Sequence, residues 1–150
     1  MTMGKHSISR AEAISSFEKG VNCCQTVLLP FADKLGYEEE EFMDLGACFG
    51  GGMGMGETCG TVTGAMMVIG MAVGCETQEQ RDRLDELKAE FQRRFRERHQ
   101  STMCRDILGF DVSIPGESEK AVESGAFFDI CPRCMEDSID ILEELLKDEL

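Results

Sequence analysis

Positive charge is scarce in this chain. Its 15 lysine and arginine residues are set against 29 aspartate and glutamate residues, for a formal net charge of −14. Long-range repulsion then opposes approach to nucleic acid or to an anionic membrane, which excludes a non-specific polyanion binder. The one basic segment, Arg81 to Arg98, is interleaved with Asp82, Asp85, Glu86, Glu90 and Glu97, and reads as a solvated helix face. Runs of alternating β-branched residues are missing, so strands should be scarce. Internal repeats and low-complexity tracts are missing too. The opening "MTMGKHSISRAEAI" has neither the apolar core nor the small-residue cleavage site of a secretory leader. A cytoplasmic location is therefore expected. A reducing compartment disfavours structural disulfides, so the eight cysteines point to metal or redox chemistry more than to a covalent framework. Some of them should serve only as small buried hydrophobes.

What is present reads as helix almost throughout. The 150 residues are expected to form a single domain, 1–150, with a substantial core. "SRAEAISSFEKG" offers Ser9 as an N-cap and Gly20 as a stop; "NCCQTVLLPFADKLG" offers Asn22 and Gly36, with Pro30 to kink or split it. "YEEEEFMDLGACFG" places acids in a first turn, where the helix dipole favours them. The clearest element begins after Thr77, with Leu84, Leu87, Phe91 and Phe95 on one face. That stripe can pack within the chain or across a homodimer. A short helix is expected over "ESEKAVES", and the last helix puts Met135, Ile139, Leu142 and Leu146 on one face. The ten methionines read as core filler rather than soft-metal ligands.

The stretch "GETCGTVTGAMMVIGMAVGC" carries no charge between Glu57 and Glu76. Its length just reaches the lower limit for a bilayer span. Its glycines and threonines, its acidic flanks and the absence of an adjoining basic loop argue against membrane insertion. The alternative is the buried centre of a helix bundle. Gly60 and Gly64, and again Gly70 and Gly74, should each bare backbone for a close neighbour or cofactor. The expected fold is all-α, a compact multi-helix bundle around this glycine-rich apolar helix. Just before it lies "FGGGMGMGETCG". The loop lacks the Lys-Ser/Thr pair of a P-loop and the dinucleotide glycine spacing. It reads as a tight turn at positive φ, or as bare N–H groups of Gly51, Gly52, Gly54, Gly56 and Gly60 facing a thiolate or an anionic cluster.

Cys59 stands at or just before the first turn of the uncharged helix, where the dipole should lower its pKa and favour thiolate. Cys131 and Cys134 form the lone C-x-x-C, "CPRC", in which Pro132 suggests a helix start. The spacing suits a dithiol or half of a four-thiolate site. Adjacent Cys23 and Cys24 point about 100° apart on a helix, so one of them faces any shared site. Cys104 should open a short helix. Cys48 and Cys75, in apolar glycine-bounded surroundings, read as packing residues. His6 and His99 lie in polar segments and are not expected to be ligands.

Four segments, "GVNCCQTVLLPFADKLG", "FGGGMGMGETCGTVTGAMMVIG", "STMCRDILG" and "ICPRCMEDSIDILEELL", together resemble the C_GCAxxG_C_C family of redox-active proteins. The resemblance runs from about Gly20 into the last helix. It implies that the family's four cysteines fall on Cys23, Cys59, Cys104 and Cys131, leaving Cys24, Cys48, Cys75 and Cys134 as extras. The family's C-G-A-x-x-G-A core reads "CGTVTGA" here, with Thr61 in place of the usual Ala. The family is in turn similar to part of the split-Soret cytochromes, dimeric haem proteins in which an iron–sulfur centre has been proposed. No C-x-x-C-H motif is present, so covalent haem is not expected.

Three functions fit these residues. In the first, the four cysteines converge from four helix starts on an iron–sulfur cluster, [2Fe–2S] in type, that exchanges electrons with a redox partner protein. In the second, Cys59 is the nucleophile of a thiol–disulfide oxidoreductase or redox sensor, with Cys23, Cys104 or Cys131 resolving. In the third, the chain is a non-enzymatic helical domain that docks to a transporter or redox enzyme, with zinc or without metal.

Overall fold

The computed structural model describes residues 8–150; His6 lies outside them. Helix starts are set by the side chains that cap them. Helix α1 (Arg10–Ser16) begins at Ser9, whose Oγ accepts from the Glu12 amide at 3.1 Å while the Ser9 amide donates to Glu12 Oε1 at 3.3 Å. A 3₁₀ turn extends it through Lys19 to Gly20, at φ 95°. Asn22 and Gln25 form the same reciprocal box at the start of α2 (Cys23–Leu28), with bonds of 2.9 and 2.8 Å. Each box satisfies two amides that the helix itself cannot. Beyond α2, Pro30 splits the chain into a 3₁₀ turn, Leu29–Phe31, and α3 (Ala32–Leu35), which Gly36 ends at φ 82°. The acid-headed α4 (Glu39–Gly46) leads into the glycine loop.

The uncharged segment forms α5 (Gly60–Val73). Thr77 and Gln80 box the start of α6 (Gln78–His99). Two short helices, α7 (Cys104–Leu108) and α8 (Glu117–Ser124), precede the long α9 (Ala126–Leu145). The architecture is all-α, with nine α-helices and no strand among the described residues. None of these helices is long and apolar enough to cross a membrane.

Helix α5 is the central rod. It packs against α2, α6 and α9, burying Val62, Ala65, Val68 and Ile69. From α6, Leu87, Phe91 and Phe95 enter the same core, where they meet Ile139, Leu142 and Leu146 from the C-terminal segment. The aromatic stripe is thus consumed inside the chain. Charged residues of α6 pair on the outside: Arg94 with Glu144 at 2.8 Å, Arg98 with Asp137 at 3.1 Å, and Arg93 with both Glu90 and Glu97. Exposed pairs of this kind add little to stability. They account for the basic segment as a solvated face.

Two local expectations are corrected. The last helix starts at Gly125 (φ 81°), not at Cys131, so Pro132 lies inside it and Cys131 sits in a helix interior. A proline there removes the donor for the carbonyl four residues back, at a cost of about 3 kcal/mol. The preceding turn nevertheless stays helical because Ala126, Phe127 and Ile130 pack into a second apolar cluster with Leu108 and Ala121. The two glycine pairs of α5 also differ. Gly60 and Gly64 lie tight against α2, whereas a Cβ at Gly70 would meet nothing within 4 Å, and Gly74 ends the helix at φ 83°.

Candidate redox site

Two backbone bonds clasp two cysteine-bearing helix starts together. The Cys59 amide donates to the Thr102 carbonyl at 2.7 Å, and the Cys104 amide donates to the Glu57 carbonyl at 2.6 Å, around an antiparallel bridge between Thr58 and Met103. Cys59 is the N-cap of α5 and Cys104 the first residue of α7. Cys23 is the first residue of α2 and reaches the same point because Gly60 lets α2 approach α5. Cys131 arrives from α9. All four line one cavity of about 620 Å³.

A fifth thiol, Cys134, lines that cavity as well. It is one helical turn from Cys131, so i,i+3 spacing could have announced it. Cys24 is turned away, fully buried behind Gly64. Cys48 and Cys75 are exposed, contrary to the expectation that they pack inside. Cys48 lies just after the end of α4, and Cys75 just beyond the Gly74 stop, where the chain has left the core.

The glycine loop is a left-handed turn. Gly51, Gly52, Met53, Gly54 and Gly56 all have φ between 61° and 70°. Glycine adopts this region without steric penalty. Gly51 and Gly54 line the cavity, together with Gly50. The backbone amides of Gly51 and Gly60 favour the charged form of the Cys23 sulfur. Gly52 and Gly56 serve the turn instead: a side chain on Gly52 would strike the Glu57 backbone, and one on Gly56 would come within 2.6 Å of Asp111 Oδ1. Thr61 is also in use. Its Oγ1 is 3.0 Å from Cys59 Sγ, and its carbonyl accepts from the buried Ser138 hydroxyl at 2.8 Å.

Charge is excluded from the site. Among the described residues no Asp, Glu, Lys, Arg or His lines the cavity. Four of its thiols are pushed above their ordinary range. Cys59 is pushed up to about 12, first by hydrogen bonding to Cys134 and then by burial, with Cys23 and Thr61 acting in the opposite direction. Cys23 is raised well above the ordinary thiol range by its interaction with Cys59 and by burial, although the two glycine amides pull it down. Burial, then Cys23, lifts Cys104 to about 11. Burial, then the charges of Cys23, Cys59 and Cys104, raises Cys131. The expected dipole-lowered thiolate at Cys59 is therefore corrected: desolvation and neighbouring thiols outweigh the partial charge of the helix end.

Cys23, Cys59 and Cys134 share the wall of this cavity. Cys134 also meets His99, the last residue of α6, with its Sγ 3.7 Å from His99 Nδ1. His99 Nε2 lies 2.8 Å from Asp137 Oδ2, close enough for an ion pair but not aligned as a hydrogen bond. Sequence reasoning passed over His99, and no local signal marks it. Only the packing of α6 on α9 brings it to a thiol.

The raised thiols predict an alkaline limit. A folded-state pKa above the unfolded value means that the native chain holds more protons, so stability falls as pH rises. The loss should begin near the ordinary thiol value of 9 and run toward about 12 for Cys59. Thermal melts of the reduced, metal-free protein should show a falling Tm over that range, with a shallower slope in Cys59→Ser. Equal slopes would mean that the fold does not hold Cys59 protonated.

The helices of the described residues thus gather five cysteines on one cavity without charged side chains. The chain is a member of the C_GCAxxG_C_C family: the family model described as "Putative redox-active protein (C_GCAxxG_C_C)" matches residues 21–145. No curated protein and no solved structure matches the chain.

Proposed function

We propose that the chain is an electron-transfer protein in which Cys23, Cys59, Cys104 and Cys131 hold an iron–sulfur cluster of the [2Fe–2S] type. The observation that carries this reading is that four cysteines from four separate segments line one cavity free of charged side chains. The donor set fits such a group. Thiolates are its ordinary ligands. Burial and the closeness of other sulfurs, which raise these four thiols, are what an iron core would offset as the thiols release their protons. The Gly51 and Gly60 amides directed at Cys23 suit an anionic sulfur.

Among the described residues no three Cys, His, Asp or Glu side chains converge closely enough for one metal ion. When bound, the cluster would supply one-electron transfer. The chain's own part is to position four sulfurs, exclude water with Phe17, Ile107 and Phe127, and offer amide dipoles in place of charges. A reading in which Cys59 makes the first attack on an outside substrate is weaker, since a thiol raised to about 12 carries little thiolate at neutral pH.

Anaerobic reconstitution with iron and sulfide tests the proposal. The wild-type chain should take up iron and sulfide in equal amounts and absorb between about 400 and 600 nm, as thiolate-bound clusters do. Cys59→Ser should lose most of that absorbance with its helical circular dichroism unchanged. Full iron and sulfide retention in that variant would remove Cys59 from the ligand set, and a wild-type chain that stays colourless would end the cluster reading.

A further inference from the structure

The four proposed ligands leave Cys134 without a role, although it lines the same cavity and is only 1% exposed. Cys59 lines the same cavity, and one turn along α9 the Ser138 hydroxyl donates to the Thr61 carbonyl at 2.8 Å, which sets this face of α9 against the start of α5; on its other side the Cys134 sulfur is 3.7 Å from His99 Nδ1. His99 is itself fixed from two directions. Asp137 Oδ2 lies 2.8 Å from its Nε2, and the Phe95 ring packs against it in a tilted arrangement at 4.7 Å between centroids. Nothing in the cluster reading needs this arrangement.

We propose that Cys59 and Cys134 are a reversible disulfide pair that closes when the site carries no cluster, with His99 as the residue that positions Cys134. The reading rests on the redox assignment of the thiol ring but not on the cluster itself. The oxidant is a small uncharged disulfide, the class that a cavity without charged walls admits. Cys134 sulfur displaces one half of that disulfide, forming a mixed disulfide and releasing one thiol. Cys59 sulfur then displaces the second half. One Cys59–Cys134 bond forms and the oxidant's S–S bond breaks. The two cysteine protons leave on the two released small thiols, so two electrons pass from the protein to the oxidant. The bond removes one of the four proposed ligands from use and protects the innermost sulfurs from further oxidation. Reduction restores them.

The reduced, metal-free protein is treated with 2-hydroxyethyl disulfide, and free thiols and peptide linkages are measured. The expected result is loss of two of the eight free thiols and a linked pair of peptides carrying Cys59 and Cys134. Cys134→Ser and Cys134→Ala, checked for native circular dichroism, should form no such link and should still accept iron and sulfide. His99→Gln should close the bond at least about tenfold more slowly while keeping its Tm and the unchanged linkage. Linkage of Cys131 to Cys134 or of Cys23 to Cys59, mixed disulfides alone, or no thiol loss would each overturn the pairing. An unchanged rate in His99→Gln would overturn the role of His99. Failure of the cluster reading appears separately, as absent iron uptake, and leaves the disulfide map intact.

Discussion

Gly60→Ala is expected to destabilise the protein by about 1–3 kcal/mol and to abolish assembly of the thiol site. A methyl group at this position would collide with Cys23 Sγ and would sit 3.0 Å from both the Cys24 amide nitrogen and the Phe49 carbonyl oxygen. Two of those three neighbours are backbone, so the helix rather than a side chain must move. The shift would separate α2 from α5 at the point where Cys23, Cys59 and the glycine loop meet. Both stability and iron uptake should therefore fall together. Gly70→Ala is the matched control within the same helix, since a Cβ there would meet nothing within 4 Å. It should stabilise by about 0.5–1 kcal/mol through lower helix entropy cost and leave iron uptake unchanged. Chemical denaturation of both variants, beside reconstitution, separates the outcomes. A Gly60→Ala protein as stable as the parent would refute the close approach of α2 to α5.

Phe95→Ala should have the largest effect on stability. The side chain is fully buried between α6 and the C-terminal helix; its ring stacks on Phe91 at 5.9 Å and lies tilted against His99 at 4.7 Å. Truncating such an aromatic costs about 3–5 kcal/mol, the lost transfer energy plus that of the cavity left behind. For a chain of this size that corresponds to a fall in Tm of roughly 10 °C or more. The same substitution loosens His99, so Cys134 should lose its partner as well. Phe128→Ala supplies the contrast. Phe128 is about half exposed and touches Phe17 edge-on at 5.7 Å, so its loss should cost less than about 1 kcal/mol. A Phe95→Ala melt within a few degrees of the parent would place this ring outside the core.

Helix starts were legible because their causes are local. Ser9, Asn22 and Thr77 each cap the next helix, and Glu12, Gln25 and Gln80 complete the boxes three residues on. The stripe from Leu87 to Phe95 and the stripe from Met135 to Leu146 were legible for the same reason: 3.6-residue periodicity reports the buried face directly. The start of α9 was not legible, since the cost of Pro132 is outweighed by packing of Ala126, Phe127 and Ile130 against segments remote in sequence. The two glycine pairs of α5 look alike as text and differ only in what lies opposite them.

Along the sequence, caps and apolar periodicity determined the helical class, and the order of cysteines and glycines determined the family. Only the tertiary structure decided the company of the cysteines and their protonation. Cys134 joins the ring and His99 meets it because α9 packs beside α5 and α6. Cys59 is an acid weaker than its helix position suggests, because removal of water and the nearness of other sulfurs act through space and have no signature along the chain.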